Sequence, residues 1–105
     1  MGLKVFWTAF AKKQLKIIFE YYKENASKNV ARKIIIGIVN ETIILKKQPF
    51  QGQIEELLKS NSREIRYFIY KNYKLIYWFN NSKNQIEILD VFDTRQNPTK
   101  IDREK

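Results

Sequence analysis

The sequence predicts an α+β fold: a short N-terminal strand, then an antiparallel helix hairpin packed on one face of a small antiparallel β-sheet. Three observations predict it. Apolar residues recur at helical spacing through the first half, they alternate along strand-length runs in the second half, and a Pro-containing loop separates the two regimes. The chain, 1–105, is expected to form one domain, and 44% hydrophobic content with seven Phe, six Tyr and two Trp is enough for a core.

The opening "LKVFW" is a strand candidate. Thr8 follows with the hydroxyl and position of a helix N-cap. Ala11, Leu15, Ile18 and Tyr22 then fall on one helical stripe widened by Phe19, while Lys12, Lys13, Lys16 and Lys23 lie mostly off it, so Thr8 to Glu24 reads as an amphipathic helix. Ser27 is a second N-cap candidate. Val30, Ala31, Ile34, Ile35, Ile38 and Leu45 carry a helical stripe to about Lys47, and Pro49 forbids extension. A mid-helix Gly costs about 1 kcal/mol relative to Ala. Gly37 is therefore expected to mark a close approach of the two helices.

"QPFQGQIEELLKSNS" reads as a loop with one helical turn at Ile54 to Leu58. Three strands follow, at Arg63 to Tyr70, Tyr73 to Asn80 and Gln85 to Phe92, the first pair joined by a two-residue turn at Lys71-Asn72. The opening strand can add at an edge of this meander. Leu75, Tyr77 and Phe79 share one face; Ile76 and Trp78 lie on the other beside Lys74, which is expected to present half-exposed aromatic and basic groups. The polar tail "TRQNPTKIDREK" is expected to be loosely held.

Composition removes several chemistries. With no Cys there is no disulfide, thiolate metal site or Cys nucleophile, and with no His there is no Ser-His triad or ordinary zinc site. The three Gly are scattered and form no phosphate loop. Asp90 and Asp93 read as solvated strand-end carboxylates rather than a metal pair, so no metal and no cofactor is expected. The N-terminus lacks the pattern of a signal peptide, and "KIIIGIVNETIIL" is short of the ~20 residues that cross a bilayer, so a cytoplasmic protein without membrane contact is expected.

Twenty Lys and Arg against eleven Asp and Glu give a formal +9, a field that favours nucleic acid, an anionic membrane or an acidic protein partner. Arg63, Arg66, Tyr73, Lys74, Tyr77 and Arg95 are the candidate target-binding set. Cations can stabilise the transition state of metal-free RNA cleavage, a shifted Lys or Tyr can move a proton, and rings beside cations can stack on bases. A core role for the tyrosines and solvated cations is the plain alternative.

"VFWTAFAKKQLKIIFEYY", "ARKIIIGIVNETIILKKQPFQG", "REIRYFIYKNYKLIYWF" and "IEILDVFDTRQNP" together resemble, in order and over nearly the whole chain, the RelE/ParE superfamily of bacterial toxins. The resemblance implies a compact α+β toxin with a basic surface, neutralised by a cognate antitoxin. RelE-like members cut mRNA in the ribosomal A site; by position their catalytic cations would be Arg63, Lys74 and Arg95. ParE-like members poison DNA gyrase and need no nuclease site. Many nuclease relatives carry a His two residues before the late Arg, where this chain has Asp93, and others use a late Tyr, whereas "QNPTKIDREK" has no aromatic residue. The pattern "WT..A...L..I..YY" is ParE-like. The resemblance therefore implies a gyrase-poisoning toxin. The alternatives are a ribosome-dependent, metal-independent endoribonuclease and a non-toxic basic module that binds nucleic acid or protein.

Overall fold

The computed structural model describes residues 3–55 and 63–95. Its element order is β1 (Lys4–Trp7), α1 (Ala9–Asn25), α2 (Lys28–Ile44), β2 (Gln53–Ile54), β3 (Arg66–Tyr70), β4 (Tyr73–Asn80) and β5 (Gln85–Asp93). Both helix starts follow from their caps. The amide of Ala11 donates to Thr8 Oγ1, and that of Val30 to Ser27 Oγ, each at 3.1 Å, satisfying donors that a helix N-terminus leaves free. Thr8 also donates its hydroxyl to the Ile88 carbonyl at 3.1 Å, so the cap fastens α1 to β5.

The strands form one five-stranded sheet in the order β1-β5-β4-β3-β2. The pairs β2–β3, β3–β4 and β4–β5 run antiparallel. The opening strand takes an edge, as expected, but runs parallel to β5, which makes the sheet mixed. The parallel pairing follows from the connection: a full helix hairpin and three strands intervene, leaving no tight turn to impose antiparallel order.

The helices cover one face. Ala11, Leu45, Tyr77, Ile86 and Ile88 bury together, and beside them Ile38, Tyr73, Leu75 and Val91 pack against Leu15, Ile18, Tyr22 and Ile34. A β-bulge at Leu89 interrupts the alternation: Ile76 pairs with Asp90, but the next residue, Tyr77, pairs with Ile88. The extra residue shifts the phase of β5, so Ile86, Ile88 and Val91 face the helices while Leu89 and Phe92 face away.

Several expectations are corrected. α2 ends at Ile44, and residues 45–47 continue as turns closed by short-range bonds such as Lys46 N to Ile43 O at 3.0 Å. Ile54 lies in a strand paired with Arg66, not in a helical turn; Leu58 lies outside the described residues. The third strand begins at Arg66 rather than Arg63. Gly37 does mark a close approach, but to the sheet: a Cβ there would lie 2.3 Å from the Tyr70 hydroxyl. The outer sheet face is less open than expected, because Ile65, Ile76, Leu89 and Phe92 form a buried cluster flanked by Tyr67 and Trp78. Asp90 is buried, not a solvated strand-end carboxylate. The tail from residue 96 lies outside the described residues. Among those described, no helix is long and apolar enough to cross a membrane.

Candidate functional site

Strand alternation divides the six candidate residues between two faces. On β4, Lys74 points away from the helices with Ile76 and Trp78, whereas Tyr73, Leu75 and Tyr77 point toward them. Arg63 joins the outer group by placing its guanidinium 5.2 Å from the centre of the Trp78 ring. Trp78 is held in turn by an Nε1–H bond of 3.0 Å to Glu87, whose carboxylate also accepts from Asn80 and Gln85. Burial works against the Glu87 charge, but those three donors outweigh it and leave its pKa below the ordinary value.

Lys74 is not a free cation. Its Nζ lies 2.7 Å from Glu55 Oε1 and 4.1 Å from the centre of the Tyr67 ring. The side chains of Lys74 and Glu55 are only 19% and 5% exposed. Trp78 stands four residues further along the strand, about 13 Å away at the usual rise. Arg63 and Lys74 thus share a face as two separately anchored cations.

Arg66 faces the other way and ties the strands to the preceding loop. Its Nη1 donates to the carbonyls of Gly52 at 2.7 Å and Phe50 at 3.2 Å, its Nη2 pairs with Glu64, and the guanidinium lies over the Phe50 ring. Tyr77 completes this junction from inside. It is 0% exposed, donates its hydroxyl to Pro49 O at 3.0 Å and accepts from Gly52 N at 2.9 Å. Burial raises its phenol pKa, and the Gly52 bond only partly offsets that. Tyr77 is therefore a core residue and offers no surface to a target.

Tyr73 and Arg95 meet at a cleft between α1 and β5, lined also by Ile17, Tyr21, Tyr22 and Asp93. Tyr73 is 3% exposed and donates to the Tyr22 hydroxyl at 2.8 Å; burial first, and Tyr22 second, push its phenol well above the ordinary value. Arg95 is 67% exposed at its side chain but clasped by Asp93, with Nε 3.0 Å from Oδ1 and Nη2 2.6 Å from Oδ2. That hydrogen bonding from Arg95 holds the Asp93 carboxyl down to about 2. An acid of that strength is ionised near neutrality and cannot donate a proton there.

The structure therefore brings Arg63 and Lys74 to one face and Tyr73 and Arg95 to another, with Arg66 and Tyr77 inside a loop junction. Sequence reasoning missed Glu55, Tyr22 and Gly52. Only the Asp93–Arg95 pair, two residues apart, carried a local signal. At Gly52 a Cβ would approach the Tyr67 carbonyl oxygen at 2.6 Å and the Tyr77 hydroxyl at 2.7 Å, so the close approach excludes a side chain.

Comparison with known proteins gives the same fold. A toxin structure described as the chromosomal ParDE toxin–antitoxin system from P. aeruginosa superposes with a TM-score of 0.71 at 19% identity, covering 87% of this chain and 95% of that one. The toxin–antitoxin complex RelBE2 from Mycobacterium tuberculosis gives 0.64 at 18% identity, covering 89% and 99%. No curated protein sequence matches the chain. The model of the ParE toxins of type II toxin–antitoxin systems, parDE, matches residues 5–98, and the chain belongs to that family, within the RelE/ParE superfamily.

Proposed function

We propose that this toxin arrests growth by poisoning DNA gyrase through protein contacts, is neutralised by a cognate antitoxin, and does not cut RNA. One observation carries the choice of mechanism: neither the residue at the relatives' His position nor either candidate Tyr is suited to exchange a proton near neutrality. Asp93, where nuclease relatives have His, is ionised and clasped on Arg95. Tyr73 and Tyr77 are buried phenols with raised pKa values, and Lys74 is committed to Glu55. Metal-free RNA cleavage needs both an acid and a base, each typically worth 10²–10⁴-fold in rate. Poisoning by protein contact needs neither.

The RelE-like alternative keeps one feature in its favour, the shared face of Arg63 and Lys74. Under it, those residues and Arg95 would be the catalytic cations. Under the gyrase reading, the target-binding surface draws on Arg63, Lys74 and Arg95, with Arg66 and Tyr73 shaping its supports.

Induced expression in a bacterium is expected to stop growth, and co-expression of the product of the adjacent gene is expected to restore it. Unimpaired growth with soluble, folded protein in the cells would favour the non-toxic binding module.

A further inference from the structure

The side of α1 turned away from α2 carries apolar surface that the core does not use. Gln14, Ile17 and Tyr21 follow one another there at spacings of three and four, a single helical stripe. Ile17 and Tyr21 are 53% and 56% exposed. The stripe forms one wall of the cleft in which Tyr73 and Arg95 meet, and Val91 of β5 lines it from the sheet.

The polar groups of this cleft gather at one end. Tyr73 donates to Tyr22 at 2.8 Å, and both Tyr22 and Asp93 bear on the Arg95 guanidinium. Gln14, eight residues before Tyr22, is about 12 Å away along the helix axis. Asp93 engages Nε and Nη2 of Arg95, which leaves Nη1 outside the clasp. Because the Arg95 side chain is mostly exposed, that nitrogen can still donate to an outside acceptor. Size then narrows the occupant. A cavity of about 150 Å³ accommodates benzene, and drug-sized ligands need about 300–1,000 Å³. At about 220 Å³ this cleft suits one aromatic ring and no more.

We propose that the cleft receives one aromatic side chain of the gyrase target, with a carboxylate beside it that meets Arg95. The partner's identity rests on the gyrase reading above. Tyr21 already stands edge-on to Tyr22, with ring centroids 5.0 Å apart, and an incoming ring extends that edge-to-face arrangement. Ile17 and Val91 supply apolar contact, and Nη1 of Arg95 supplies a charge-assisted bond to the carboxylate. Pockets that take a single buried anchor residue, rimmed by Tyr and Arg, carry much of the affinity of protein interfaces. A nucleic-acid strand fits poorly: Arg95 is the one cation lining the cleft among the described residues, Asp93 stands against it, and a phosphate backbone demands several cations. A basic side chain fits poorly as well, because the guanidinium repels it.

The test has two arms, both on the full chain. In the first, amide NMR follows a titration with N-acetyltyrosine, which carries a ring and a carboxylate. Saturable shifts at Ile17, Tyr21 and Arg95 are expected at millimolar concentration. N-acetyltyrosine amide should bind about threefold more weakly, the size of an exposed charge pair, and Arg95→Gln should erase that preference. Ile17→Asp should abolish binding of both compounds, and because Ile17 is exposed the variant should melt like the original protein. In the second arm, purified gyrase is captured on immobilised toxin. Its affinity should fall by at least about tenfold for Ile17→Asp, as for loss of an anchor pocket, and N-acetyltyrosine in excess should compete. No saturable shifts, shifts scattered over the surface, equal binding of acid and amide, or binding untouched by Ile17→Asp would each overturn the proposal. Gyrase binding that survives Ile17→Asp unchanged would sink the cleft and leave the gyrase reading standing. N-acetyltyrosine bound in the cleft, with no capture of gyrase by the original protein, would sink gyrase as the occupant and leave the pocket standing.

Discussion

Tyr77→Ala is expected to destabilise the fold by about 3–5 kcal/mol, the cost typical of emptying a large aromatic site in a core. The ring is fully buried among Ala11, Leu45, Ile86 and Ile88 and packs edge-on against Phe68. Its hydroxyl also closes the loop before β2, donating to Pro49 and accepting from Gly52. Truncation removes both effects and leaves a buried amide and carbonyl without that partner. Against a total stability of about 5–15 kcal/mol, the melting midpoint should fall by well over ~10 °C, read by circular dichroism. Tyr77→Phe, which keeps the ring, should cost only about 1–2 kcal/mol. A Tyr77→Ala protein that melts within a few degrees of the original would show that the ring is not part of the core.

Lys74→Ala should also destabilise, by about 3 kcal/mol, although a charged residue on a sheet face would ordinarily be replaceable at little cost. The difference lies in Glu55. Its side chain is 5% exposed and pairs with Lys74 at 2.7 Å, so removing the ammonium leaves a buried charge without that cation. Adding Glu55→Gln to Lys74→Ala should restore part of the loss, because the buried charge that lost the ammonium is then gone. Thermal melts of the two single variants and the double complete the cycle. Strict additivity would mean that the pair contributes no coupling. The result also bears on activity: loss of toxicity in Lys74→Ala would reflect folding as well as target contact, whereas Arg63→Ala and Arg95→Ala report on the surface more directly.

The same residues mark where the sequence could be read and where it could not. Helix starts were legible at Thr8 and Ser27, because a cap is a contact across three residues and needs nothing from the rest of the fold. The two inward faces of the helices were legible from periodicity, as was the β3–β4 hairpin, whose Lys71 takes a φ of 55°. The bulge at Leu89 was not, since it is defined by pairing between β4 and β5, and it converts an apparent alternation into burial of consecutive residues from Ile88 to Phe92. Gly37 signalled a close approach but not its partner, Tyr70, which lies far along the chain.

The candidate site was legible as a composition of cations and aromatics and only partly as an arrangement. Strand alternation already set Lys74 opposite Tyr77, and the structure places Tyr73 on the inner side as well. Glu55, nineteen residues before Lys74, has no spacing that announces the ion pair. Asp93 was read as a solvated strand-end carboxylate; its clasp on Arg95, two residues on, is local yet was not read, and it removes Asp93 from the list of proton donors.

The most direct test of the proposed mechanism is a plasmid supercoiling reaction with purified gyrase from the same organism and the folded toxin in excess. The proposal predicts that linear plasmid accumulates once gyrase is stripped with detergent and protease, the sign of trapped double-strand breaks. Normal supercoiling with no linear product would contradict it.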